Sequence, residues 1–366
     1  MKIECAQNTL QIALSQAEKI SGKNLNLPVL ACVLIDAKRG QLVLRSTNLD
    51  LGLETVVSAK VEIPGVVAVP SAVLNACIAN IPKEKSVKLE SDGTTLIVTT
   101  NKSRSIIKCF PADDFPTIPE IPKTQSSELS SIDFVKGLKA VWYSSSLSSI
   151  KPELSSVCIY PEESNIIFAA TDSFRLAEKK VQTKQIKDFE RILIPFKNVT
   201  EIIRVLERAE GMIEVRFSKN QIAFVFEGTY LTSRVIDGIF PDYRQIIPKE
   251  FKTEAILLKE DLVQSLKIST IFSDSFNQVS MAISPEEKRF ELTTKNSTLG
   301  ENTTKIDAAL SGDPAEANFN YRYVSDCLQS IDADSISVSL SGPSRPVVIR
   351  GVSDKSFTYL VMPMNR

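Results

Sequence analysis

"IPFKNVTEIIRVLE", residues 194–207, decides the fold because it has two counterparts. "VPSAVLNACIANIP" begins at Val69 and "NYRYVSDCLQSIDA" at Asn320, so the three starts lie 125 and 126 residues apart. A second series keeps almost the same step: "TNLDLGLE" from Thr47, "TDSFRLAE" from Thr171 and "TKNSTLGE" from Thr294. Each octet opens on Thr, closes on Glu and follows an alternating apolar run. A third series is helical: "NTLQIALSQAEKIS" (8–21), "IDFVKGLKAVWYSS" (132–145) and "EDLVQSLKISTIFS" (260–273). Phe115-Pro116 and Phe240-Pro241 are again 125 residues apart. Landmarks of different kinds sharing one period, about a third of a 366-residue chain, mean an internal triplication.

Each third divides again. The first reads as strand 2–6, helix 8–20 and strands 30–37, 41–47 and 51–60. It continues with strand 65–69, helix 71–80 and strands 86–91, 94–100 and 103–110. Alternation and β-branched runs such as "LIVTT" and "IAFVF" carry the strand assignments. Polar or glycine turns such as Lys38-Arg39-Gly40 and Ser91-Asp92-Gly93 separate them. The unit β-α-β-β-β therefore occurs twice per third. The expected fold class is α+β, with three repeated domains at 1–120, 121–248 and 249–366. The Phe-Pro segments end sheet pairing, since proline cannot donate to a ladder and biases its predecessor to extended backbone. They read as short, stiff linkers.

The composition excludes several classes of function. There is no histidine, so Ser-His-Asp, Cys-His and HExxH chemistry are all absent. Neither GxxxxGK[ST] nor GxGxxG occurs, so no phosphate-cradling loop is visible. The six cysteines are scattered without metal-ligand spacing and read as reduced thiols of a cytoplasmic protein. No apolar run is long enough to span a membrane, and "MKIECAQNTL" lacks the features of a signal peptide. No metal, cofactor or catalytic residue is expected. The net charge of −1 does not advertise a polyanionic partner, so any such role must come from where the charges lie. One place is the helix at 197–209, where Val199, Ile202, Ile203, Leu206 and Ala209 form the apolar side. Lys197, Glu201, Arg204 and Arg208 share the opposite face. The helix at 132–145 buries Phe134, Leu138, Val141 and Trp142 and exposes Lys136 and Lys139. The third repeat offers Lys267 and Arg322.

With three such repeats, "ATDSFRLA" (170–177), "FPDYRQIIP" (240–248), "FPADDFP" (110–116) and the ending "VMPM" (361–364), the chain resembles the bacterial sliding-clamp family, the beta subunits of DNA polymerase III. The resemblance spans the whole chain. It implies the DNA-clamp fold: protomers paired head to tail in a ring dimer, helices lining the hole and antiparallel sheets outside. It further implies duplex DNA held topologically and without sequence readout. The expected protein partners are the replicative DNA polymerase, the clamp loader and others with short clamp-binding motifs. The DNA-facing candidates are Lys23, Lys136, Lys139, Lys197, Arg204 and Arg208. For the dimer interface they are Ile106, in the strand at 103–109, and the tandem Ile271-Phe272, which cannot both face one helix core. The family's partner-peptide groove maps onto Leu154, Thr171, Ser173, Phe174, Arg175, Leu176, Pro241, Ile246, Phe276, Pro346, Val361, Met362, Pro363 and Met364. An apolar groove containing methionine adapts to varied anchors. The sequence departs from the family where Gly and His are common, carrying Ser173 and Phe174, and in ending on Asn365-Arg366. Ser71, Ala72 and Val73 follow "VP", where family members often have basic residues.

Two other readings compete. One is a clamp-like scaffold that binds proteins without encircling DNA. The other is a hydrolase working through Asp172 and Glu178.

Overall fold

The computed structural model describes residues 1–22, 26–38, 40–82, 84–123, 126–183 and 189–364. Among these are six α-helices: α1 Gln7–Ile20, α2 Ser71–Ala79, α3 Ser131–Val141, α4 Phe196–Leu206, α5 Lys259–Ile271 and α6 Tyr321–Leu328. They sit two to a repeat, where the period places them. α1 buries Leu10, Ala13, Leu14, Ala17 and Ile20, the i, i+3, i+4 stripe of an amphipathic helix. It stops where the Ser21 hydroxyl donates to the Ala17 carbonyl at 2.8 Å. α6 starts at Asn320, whose side chain accepts from the Arg322 N–H at 3.0 Å. α3 is shorter than expected. Its last residues tighten into a 3-10 turn, Trp142–Ser144, which leaves Trp142 half-buried. α4 likewise ends at Leu206, so Arg208 lies beyond it.

The strands form three antiparallel sheets, of twelve, nine and four strands. By compactness the described residues fall into two units. One holds Met1–Ile132 with Lys197–Val235, the other Asp133–Phe196 with Ile236–Arg366. The residues expected to form a central domain are thus shared between them.

In the first unit one twelve-stranded sheet crosses the boundary between repeats. Leu51–Leu53 of the long strand Leu51–Ile63 pair with Leu231–Ser233 of strand Thr229–Arg234. Gly52 lies at this joint because the first Phe-Pro linker runs over it. A Cβ there would stand 2.8 Å from Ile118 Cγ2 and 3.0 Å from Thr232 Cγ2. The linker is tied down by Tyr230, whose hydroxyl donates to the Pro119 carbonyl (3.1 Å) and accepts from the Ile121 N–H (2.9 Å). Among the described residues strand Arg104–Lys108 ends this sheet with its outer edge unpaired.

In the second unit the nine-stranded sheet makes the corresponding joint, Arg175–Lys179 pairing with Phe357–Val361. The four-stranded sheet ends at strand Gly300–Lys305. Here the third repeat departs from the plan. The long strand of repeat one becomes two pieces, Gly300–Lys305 on Arg289–Asn296 and Ala308–Gly312 on Thr253–Leu258. Between them the chain turns inward, burying Ile306, whose N–H donates to the Phe290 carbonyl at 2.9 Å.

Candidate partner groove and nucleic-acid face

The repeated octet is a turn with a definite mechanism. In "TNLDL" the Thr47 hydroxyl donates to the Leu51 carbonyl at 2.7 Å, and Asn48 Oδ1 accepts from the Asp50 and Leu51 N–H groups. In "TDSFR" the Thr171 hydroxyl donates to the Arg175 carbonyl at 2.7 Å, and Asp172 Oδ1 accepts from Phe174 and Arg175. Both turns put their third residue in the left-handed region, Leu49 at φ 78° and Ser173 at φ 79°. The third repeat builds its turn on Asn296 instead, and the buried Thr294 hydroxyl has no partner among the described residues. At Ser173 the left-handed backbone explains why glycine suits this position. Ser173→Val is expected to lower stability by about 1–2 kcal/mol, and Ser173→Gly not to lower it. Thermal unfolding of both variants checks this; a valine variant as stable as the parent would contradict the conformation.

The turn delivers Phe174 to the surface, 61% exposed. Its carbonyl accepts the Met362 N–H at 2.8 Å, so the end of the chain lies against it. The Met364 N–H then donates to the Asn318 carbonyl at 2.7 Å, at the outer strand of the four-stranded sheet. Met362, Pro363 and Met364 are half-buried. Below them Leu176 and Val361 are buried in adjacent strands, and Pro346 is half-buried beside Val347, which pairs with Val361. Leu154 is buried just ahead of strand Ser156–Glu162. Pro241, Ile246 and Phe276 are exposed. Leu176 and Leu360 belong to one apolar cluster with Phe240 and Tyr243, so the second Phe-Pro linker is part of the same construction.

Three polar groups within this region are structural. Arg175 is mostly buried and pairs with Asp172 at 3.1 Å and with Asp326 of α6 at 2.6 Å. Its guanidinium lies 4.3 Å from the centre of the Tyr323 ring. Glu178 is buried and accepts the Tyr243 hydroxyl at 2.6 Å, with Tyr160 next at 2.7 Å. Burial and the Glu178 charge push the Tyr243 phenol far above its usual range. Arg244 pairs with Glu162 at 2.8 Å from the exposed side. Tyr243 and Asp326 are not among the sequence candidates, and Glu178 is one only for the hydrolase reading. Tyr243 sits inside the quoted "FPDYRQIIP", but nothing in the sequence says which carboxylate it meets.

The cationic candidates lie on exposed helix surface. Lys136 and Lys139 are exposed on α3, Lys197 and Arg204 on α4, and Arg208 just past its end. Lys23 lies outside the described residues. Lys136 pairs with Asp332 at 2.7 Å, and Arg204 with Glu201 at 2.6 Å. Lys19 of α1, which sequence reasoning passed over, shares a cleft of about 220 Å³ with Arg204 and Arg208. Of the interface candidates, Ile106 is 58% exposed in the edge strand and Ile271 62% exposed at the end of α5, while Phe272 is half-buried. Among the described residues no group of three or more potential metal ligands occurs, and no helix is long and apolar enough to cross a membrane. The cysteines are free thiols, and burial pushes Cys32 and Cys109 up to about 11.

A triplicated α+β chain with strand-paired repeats and exposed basic side chains on its helices has the build of a sliding clamp. Family models agree along the chain. The N-terminal domain of the DNA polymerase III beta subunit matches residues 1–119, the central domain 128–242 and the C-terminal domain 244–365. The beta sliding clamp of Synechococcus elongatus is 30% identical over 376 aligned positions, covering 100% of this chain and 99% of that one. The DNA polymerase III beta subunit of Thermotoga maritima superposes with a TM-score of 0.93 at 23% identity, over 100% of this chain and 99% of that one. The sliding clamp of Bacillus subtilis does so at 0.94, 23% identity and the same coverage. The chain belongs to the DNA polymerase III beta subunit family, whose function is that of a DNA sliding clamp.

Proposed function

We propose that two copies of this chain close head to tail into a ring around duplex DNA and tether the replicative polymerase through the groove at the chain terminus. The observation that carries this reading is that two strands ending their sheets, Arg104–Lys108 in the first repeat and Gly300–Lys305 in the third, leave an outer edge unpaired among the described residues. Free edges are templates for strand pairing. Two different edges on one chain suit a head-to-tail contact that closes with two-fold symmetry. Ile106 beside one edge, and Ile271 with Phe272 near the other, supply apolar contact. The division at 1–120, 121–248 and 249–366 is part of the proposal, supported by the three separate family matches.

Duplex DNA then meets Lys136, Lys139, Lys197, Arg204 and Arg208 through its phosphates, which carry affinity but no sequence information. Protein partners, among them the clamp loader, insert apolar anchors beside Phe174, Leu176, Pro241, Ile246, Phe276 and Met362. The chain needs no chemistry of its own. Asp172 is engaged with Arg175 and its own turn, and Glu178 is sealed under Tyr243, so neither serves a hydrolase. Free thiols suit the cytoplasm.

Retention after loading tests the proposal. The protein should stay on closed circular DNA through a high-salt wash and run off the same DNA once linearised. Equal loss from both would leave the protein-binding scaffold as the better reading.

A further inference from the structure

Lys136 and Arg204, on the candidate DNA face, are already engaged. Lys136 Nζ lies 2.7 Å from Asp332 Oδ2, across 196 residues of sequence, and Arg204 Nη1 lies 2.6 Å from Glu201 Oε1 one helical turn away. The first pair is open to water, at 50% and 72% side-chain exposure. Exposed pairs of this kind add little to stability, so holding the fold together does not account for it. The second pair is asymmetric. Arg204 is 58% exposed, but Glu201 only 19%, and its other oxygen, Oε2, is fully buried without a hydrogen-bond partner among the described residues. A carboxylate so poorly satisfied depends on its arginine. The hydrogen bond between Lys136 and Asp332 raises the lysine's pKa and lowers the aspartate's, so both stay charged at neutral pH.

We propose that Asp332 and Glu201 act as internal competitors for phosphate, each holding a cation that a DNA phosphate must take from it, and so set how loosely the protein grips duplex DNA. The proposal rests on the DNA-facing reading of Lys136 and Arg204. When phosphate captures such a cation, the released carboxylate gathers counterions of its own. The net counterion release falls, and with it both affinity and salt dependence. A grip weakened in this way suits a protein that must move along DNA, because each contact exchanges one ion pair for another.

The test is equilibrium binding of a fluorescently labelled linear duplex, by anisotropy over a series of potassium chloride concentrations, using the full chain with its oligomeric state checked by sedimentation. Asp332→Asn should tighten binding about two- to five-fold, the range an exposed ion pair is worth. It should also steepen the log–log salt slope by up to about 0.9 for the contact freed. Glu201→Gln should do at least as much. Lys136→Ala in the Asp332→Asn background should erase the gain. Lys197, with no ion pair among the described residues, tests the underlying reading, and Lys197→Ala should weaken binding. If it does not, the DNA-facing reading fails and this proposal with it. If Lys197→Ala weakens binding but Asp332→Asn and Glu201→Gln do no more than Glu286→Gln, which removes an exposed hairpin carboxylate, only bulk charge is at work and the proposal is overturned.

Discussion

Deleting residues 362–366 is expected to abolish binding of partner peptides while leaving a folded dimer. The strand Phe357–Val361 stays paired to Arg175–Lys179, so the joint between repeats survives the truncation. What disappears is the half-buried Met-Pro-Met wall, the Met362 hydrogen bond to the Phe174 carbonyl and the bridge from Met364 to Asn318. Each apolar anchor of a peptide gains about 1.5–3 kcal/mol from full burial. A micromolar complex amounts to only about 8 kcal/mol. Removing one side of the groove therefore takes the affinity below detection. Calorimetry with a polymerase-derived peptide decides it, and unchanged affinity would place the groove elsewhere.

Replacing Ile271 and Phe272 together with Asp is expected to convert the dimer to monomers. Ile271 is a solvent-facing apolar side chain at the end of α5. Phe272 leans towards the edge strand, its Cε1 3.9 Å from where a Cβ on Gly300 would stand. Charge at 272 disturbs that local packing as well, so Ile271→Asp alone is the cleaner variant. It should weaken association with little change in thermal stability. A double variant that still sediments as a dimer would remove this helix end from the interface.

Most of the fold is legible in the sequence because the repeat checks itself. Strand 41–47, expected from alternation, occupies those residues, and strand 2–6 does likewise. The split of the third repeat's long strand at Ile306 is not legible, since it depends on an inward turn of the backbone and not on a pattern of side chains. Helix ends at Val141 and Leu206 fall short of the apolar pattern, because Trp142 and Ala209 pack from turns. At the site, the exposed position of Phe174 follows from a turn readable in two octets. That Arg175 meets Asp326, and Tyr243 meets Glu178, is set by strand and helix neighbours far along the chain. The sequence names the groups and leaves their pairing open.

Each boundary between repeats is spanned by a backbone ladder of five residue pairs, Leu51–Thr55 against Thr229–Ser233 and Arg175–Lys179 against Phe357–Val361. Mechanically these are stiff springs in series, because separating the strands breaks several hydrogen bonds at once. Extension in a series concentrates in the softest member. For a ring of two such chains, opening within one chain would mean breaking one of these ladders.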